Sequence, residues 1–164
     1  MQLKGLTSFK NKLNDEAKRK LERLSELTRY LDGKAQVVNA SFGSTFSKYA
    51  KNINKWYEEA MGKSASEKAT KRWTNYYLDQ LIKNTFSTLG DCSKCLFVFS
   101  AGNKNLDNDE FLHYPSNVSA SHSRAITVAA SRGRQSLASF SNYGFQSVDV
   151  AAPGVAIRST IPTK

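Results

Sequence analysis

A chain of 164 residues, 40% of them hydrophobic, is long enough to bury one real core, and it holds no apolar run of the length needed to cross a bilayer. The formal charge of +10 is uneven: residues 1–95 carry 18 Lys and Arg against 10 Asp and Glu, and residues 96–164 carry 6 against 4. Basic residues such as Lys18, Arg19, Lys20 and Arg23, or Lys68, Lys71 and Arg72 beside Trp73, come without a recognition motif. With Asp15, Glu16, Glu22 and Glu26 interspersed they read as solvent faces of helices, so neither a nucleic-acid nor a membrane partner is expected. The start, Met1-Gln2-Leu3-Lys4-Gly5-Leu6, lacks the hydrophobic stretch of a signal peptide and leaves the compartment open.

Leu13, Ala17, Leu21, Leu24, Thr28 and Leu31 recur every three or four residues, which predicts a leading helix within residues 1–33 that stops at Gly33. Val37-Val38-Asn39-Ala40 follows as a short apolar strand running into Ser41-Phe42-Gly43. A second helix is predicted from about Phe46 to Met61, with Tyr49, Ala50, Ile53, Trp56, Tyr57 and Ala60 on one side and Gly62 after it. The polar stretch 62–66 then leads to a third helix, about Glu67 to Leu89, with Trp73, Tyr77, Leu81, Ile82 and Phe86 on its stripe and Gly90 closing it. Cys92-Ser93-Lys94-Cys95 is half of a tetrahedral zinc site with nothing to complete it. The pair opens a strand rather than a helix, so it reads as structural: Cys95 in the core and Cys92 in the connecting loop, with a local disulfide or a thiol sensor as alternatives.

The run Cys95-Leu96-Phe97-Val98-Phe99 breaks into Ser100-Ala101-Gly102-Asn103, a buried strand ending in a small-residue turn. Ala and Gly let backbone approach a ligand closely, and an Asn amide can aim an N–H at an oxygen that gains charge during reaction. Taken alone, an Asn after Gly is a common turn former. Residues 104–124 read as a long, polar, mobile loop. Within it Asp107-Asn108-Asp109-Glu110 lacks the Gly and the distal Glu of a calcium loop and reads as a solvated acidic turn. His113 and His122 have no nucleophile at a useful spacing and read as surface or loop histidines. Ala125-Ile126-Thr127-Val128-Ala129-Ala130 is a third strand. Helices alternating with short apolar strands predict an α/β fold, a parallel sheet with crossover helices. Ligands on such sheets bind beyond the carboxyl ends of the strands, where residues 41–43 and 100–103 both fall.

Several segments, taken in order, carry a resemblance: Val-Val-Asn-Ala-Ser-Phe-Gly at 37–43, Ser-Ala-Gly-Asn at 100–103, Tyr114-Pro115, Ala-Ser-Phe-Ser-Asn-Tyr-Gly at 138–144, and Ala-Pro-Gly-Val-Ala-Ile-Arg-Ser-Thr at 152–160. They closely resemble the central and C-terminal part of the catalytic domain of subtilisin-like serine proteases, the subtilases, over residues 36–43 and 95–162. The resemblance implies a partial subtilisin-like three-layer sandwich with residues 44–66 as a helical insertion, expected as a wall or lid beside the substrate cleft. It makes Asn103 the side-chain oxyanion donor; in a subtilisin itself, losing that donor costs roughly a hundred- to a thousandfold in turnover. It makes Ser41, Phe42 and Gly43 the strand that pairs with substrate backbone, and Ser100, Ala101 and Gly102 the opposite wall of a narrow slot suited to a flat or extended apolar side chain.

The family's chemistry also needs an Asp, a His and a Ser, and none of those three motifs occurs in this sequence. The expectation is therefore a fragment of a subtilisin-like serine endopeptidase, inactive alone, acting on peptide or protein substrates with the missing part of the catalytic domain as a possible partner. A noncatalytic peptide-binding or scaffold module that keeps part of the fold is the alternative. The family also contains calcium sites, but no ligands for one can be placed on these residues. Without the rest of the domain, a hydrophobic sheet edge and face are expected to lie uncovered.

Overall fold

The computed structural model describes residues 2–158; Ser159, Thr160, Ile161 and Pro162 of the family-like stretch lie outside the described residues. Three helices form where the periodicity places them: α1 Gln2–Leu31, α2 Phe46–Met61 and α3 Glu67–Gly90. Thr45 caps α2 by accepting from the Lys48 N–H, and Gly62 ends it in the left-handed conformation at φ 67°. Ser66 caps α3 by accepting from the Ala69 N–H, and that helix runs through Gly90 to a cap at Asp91.

α1 and α2 pack with α3 around Phe9, Leu13, Ile53, Leu78 and Leu81, all essentially without solvent contact. The Phe9 ring meets those of Tyr57 and Trp73 edge to face, each at 5.2 Å between centroids. Lys20 of α1 lies over the rings of Tyr49 and Tyr114, at 4.7 and 4.8 Å. Burial, and then the charge of Lys48, hold its ammonium below the usual lysine value. α3 is buried on two sides, because its far end turns Leu89 into a second core with Phe97, Phe99 and Val118. That second contact draws Leu89 inward and leaves Phe86, predicted on the buried stripe, 44% exposed and edge-on to His122.

The strands are β1 Val37–Ala40, β2 Leu96–Ser100, β3 Ala125–Arg132, β4 Ser136–Leu137 and β5 Val150–Pro153. β1, β2 and β3 lie side by side in parallel, β5 is parallel to β3 as well, and only the short β4 runs antiparallel to β3. Along β2 and β3 side chains alternate. Phe97, Phe99, Ala125, Thr127 and Ala129 are buried, while Val98, Ser100, Ile126, Val128 and Ala130 are half-exposed on the opposite face. β5 is exposed throughout, and Leu137, Phe140, Tyr143, Phe145 and Val150 are apolar residues left exposed.

One local reading resolves to its alternative, with Cys95 in the core as expected, and one expectation is corrected. Cys92 and Cys95 are joined in a disulfide, both sulfurs buried. After α3 ends, the Cys95 N–H bonds the Cys92 carbonyl, and this tight turn brings their Cα atoms to 5.4 Å. Residues 104–124 are not a mobile polar loop: residues 113–119 are buried, Tyr114-Pro115 is a cis peptide, and a 3-10 turn spans Ser116–Ser121.

Candidate functional site

β1 and β2 pair in register, Asn39 opposite Val98 and Ala40 opposite Phe99, so the segments that follow them emerge together at the carboxyl end of the sheet. A cleft of about 460 Å³ opens there, with Ser41 on one side, Ser100 through Asn103 on the next, and Ala130 with Ala152 through Gly154 beyond. The structure thus gathers Ser41, Ser100, Ala101, Gly102 and Asn103 in one place. Phe42 and Gly43 lie outside that lining: Phe42 projects into solvent, and Gly43 packs on an imidazole. A larger groove of about 620 Å³ between α1 and α3 is lined by helix-surface side chains such as Glu22, Arg29 and Gln80 and holds none of the predicted site residues.

The imidazole belongs to His113. A Cβ on Gly43 would stand 2.5 Å from its Cε1, and one on Gly102 would stand 3.0 Å from its Nε2, so the ring edge lies against both strand tips. The β1 tip is held in place as well, because the Ser44 N–H donates to the Tyr114 carbonyl at 3.0 Å. Ser116 Oγ lies 2.9 Å from His113 Nδ1 and 3.1 Å from the His113 carbonyl, which fixes the ring with its Nε2 edge toward the tips.

Asn103 itself is exposed, whereas the chain on either side of it is pinned. Ala101 is buried, its N–H bonded to the Val128 carbonyl and its own carbonyl to Asn108 Nδ2, so it offers the cleft bulk but no free polar group. Gly102 sits at φ 109°, a conformation L side chains rarely adopt, and its carbonyl accepts from the Asn142 N–H at 2.8 Å. Asn142 Oδ1 accepts from the Lys104 N–H at 2.7 Å and the Leu106 N–H at 3.3 Å. Its Nδ2 donates to Asn108 Oδ1 at 2.9 Å. Asn117 closes the network by donating to the Asn108 carbonyl and accepting from the His113 N–H. An exposed carboxamide on a rigid turn, in a cleft at the ends of two parallel strands, can hold an oxygen that becomes negative.

The family model for the subtilase family matches residues 5–164, nearly the whole chain. The chain belongs to the subtilase family. That match takes in the leading helix and residues 44–66 as well as the segments that carry the resemblance. A subtilisin-like protease 2 from Plasmodium falciparum is 39% identical over 67 residues, which is 41% of this chain and 5% of that protein. The aligned part is thus a small fraction of that relative's length. Among solved structures, an epidermin leader peptide processing serine protease from Staphylococcus aureus is 21% identical over 82% of this chain and 31% of its own, with a TM-score of 0.45. A lanthipeptide protease is 17% identical over 84% of this chain and 34% of its own, also with a TM-score of 0.45.

In this subtilase chain the polar residues between β2 and β3 depart from what their types predict. His113 and His122 are both buried rather than on the surface. Asp107-Asn108-Asp109-Glu110 is not simply a solvated turn: Asn108 is fully buried, and the Asp109 carboxylate accepts from the backbone N–H groups of Phe145, Gln146 and Ser147. Desolvation alone would raise the Asp109 carboxyl, but the Ser147 side chain together with these backbone donors outweighs it and holds it below its ordinary value. Among the described residues, no group of three or more His, Cys, Asp or Glu is placed to hold a metal ion. Residues 44–66, expected as a wall or lid, do not line this cleft. α2 packs against α1 and α3 through Tyr49 and Ile53, and none of its residues lines the cleft.

Burial holds both imidazoles below the ordinary histidine value, with the charge of Arg124 adding to it at His122. The folded chain therefore binds fewer protons than the unfolded chain just below the unfolded pKa of about 6.5. Stability from this source is intact above that pH and falls as pH drops toward the folded values. Urea midpoints are expected to be lower at about pH 5.5 than at about pH 7.5, with a smaller difference in His122→Gln. Equal midpoints at the two pH values would contradict this account.

Proposed function

We propose that this chain supplies the substrate-binding strand tips and the oxyanion donor of a subtilisin-like serine endopeptidase, with the catalytic Asp, His and Ser provided by the rest of the full-length protein. The observation that carries the reading is the position of Asn103: exposed, on a braced turn, beside Ser41 in the cleft at the carboxyl ends of β1 and β2. When a serine attacks a peptide carbonyl, charge collects on the carbonyl oxygen, and the Asn103 Nδ2–H donates to it. The outer edge of β1 and the Ser41 to Gly43 segment offer main chain for an extended peptide to pair with. The His113 ring edge beneath the two glycines limits how deep a side chain can enter between the tips.

Three serines around the site are already buried or engaged. Ser116 bonds an imidazole but is fully buried. Ser41 Oγ donates to Asn39 Oδ1, and Ser141 Oγ is engaged with the Ala130 N–H and the Asn142 carbonyl. A serine-directed fluorophosphonate is therefore expected to label the full-length protein and to leave this chain alone unlabelled. In the full-length protein Asn103→Ala is expected to lower kcat by roughly a hundred- to a thousandfold, the magnitude measured on a subtilisin itself, with KM little changed. An unchanged kcat would remove the oxyanion role. Peptide binding without turnover in the full-length protein would favour a noncatalytic module instead.

A further inference from the structure

We propose that Asn142 and Asn108 are positioning residues that aim Asn103 by clamping the main chain on both sides of it, an inference that rests on the reading of Asn103 as the oxyanion donor. The two buried carboxamides form one unit through the bond from Asn142 Nδ2 to Asn108 Oδ1. Between them the two residues engage three polar main-chain groups flanking position 103, two through their carboxamides and one through the main chain of Asn142. Asn108 Nδ2 takes the Ala101 carbonyl, the Asn142 N–H takes the Gly102 carbonyl, and Asn142 Oδ1 takes the Lys104 N–H.

The orientation of each amide is dictated by its partners. Asn142 Oδ1 faces two N–H donors, so its Nδ2 must point at Asn108; Asn108 faces a carbonyl with its Nδ2, so its Oδ1 must point back. The arrangement has no second solution of equal quality. It is needed because Gly102, at φ 109°, gives the turn no stiffness of its own. A donor that must meet a developing charge at hydrogen-bond distance loses its effect when displaced by about an ångström. Asn142 stands 39 residues beyond Asn103, in the Ala-Ser-Phe-Ser-Asn stretch, and Asn108 stands in the acidic stretch after β2. Neither touches the cleft, so each acts only through the turn.

The test is a double-mutant cycle in the full-length protease, with kcat expressed per active site titrated by a serine-directed probe, so that only folded enzyme counts. Asn142→Asp keeps the acceptor for Lys104 but sets an oxygen against Asn108 Oδ1, and Asn108→Ser removes the other half of the clamp. Each is expected to lower kcat by roughly ten- to a hundredfold with KM within about twofold. In an Asn103→Ala background each is expected to cost nothing further, because the group being aimed is gone. A loss of equal size in both backgrounds, or an unchanged kcat in the parent background, would overturn the clamp. If Asn103→Ala itself leaves kcat unaltered, the oxyanion reading fails first; if it lowers kcat while the clamp variants do not, only the clamp fails.

Discussion

Alanine at position 102 is expected to destabilise the fold by about 2–6 kcal/mol, the sum of backbone strain and overpacking at roughly 1–3 kcal/mol each. The added Cβ would stand 2.7 Å from Asn142 Nδ2 and 3.0 Å from His113 Nε2, and neither neighbour is free to move. Asn142 is tied to the main chain of residues 104 and 106, and His113 to Ser116 and Asn117. The same change at Gly33 separates strain from crowding, since φ is 71° there and nothing lies within 4 Å of the new atom. Gly33→Ala should cost only about 1–2 kcal/mol, the price of a left-handed L residue. Urea unfolding of the two variants measures the difference. Equal losses would mean that the contacts behind Gly102 carry no weight.

Phe9→Ala is expected to cost about 3–5 kcal/mol, as for a large ring removed from a packed core. Phe9 has no solvent exposure and is held between Tyr57 of α2 and Trp73 of α3, so its loss opens a cavity shared by all three helices. Phe145→Ala, by contrast, removes a ring that is 98% exposed and should change stability by no more than about 0.5 kcal/mol. Thermal or urea melts of both variants test whether α1 is part of the folding unit. A near-neutral Phe9→Ala would show that the leading helix is an appendage. The packing argues otherwise, since α1 reaches both cores, through Phe9 and Leu13 in one and through Leu24 and Leu31 in the other.

Much of this architecture is legible in the residues. Three helices end at glycines or begin at Thr45 and Ser66 because caps and periodicity are local properties, written within a few residues of where they act. Phe9 is a miss of a small kind: it lies one turn before Leu13 on the same face of α1, in a stretch whose Lys and Asn residues hide the stripe. Phe86 is the opposite miss, an apolar residue at the right spacing on a helix that must serve two cores and cannot bury every side. Residues 44–66, expected as a wall or lid, turn the amphipathic face of α2 to α1 and α3.

The subtilase motifs, the helices and parallel strands, and the meeting of Ser41 with Ser100 through Asn103 at one end of the sheet are legible in the residues, because they follow from short-range pattern and strand direction. What stands behind the site is settled by three-dimensional packing alone. Burying His113, Asn108, Asn117 and Asn142 is costly unless each polar atom finds a partner, and those partners come from a turn in the same region and from a segment some 34 residues further along the chain. Polarity read along one sequence places such residues in water; the hydrogen bonds that repay their desolvation exist only once β2, the cis Tyr114-Pro115 turn and the Ala138–Gly144 stretch have come together.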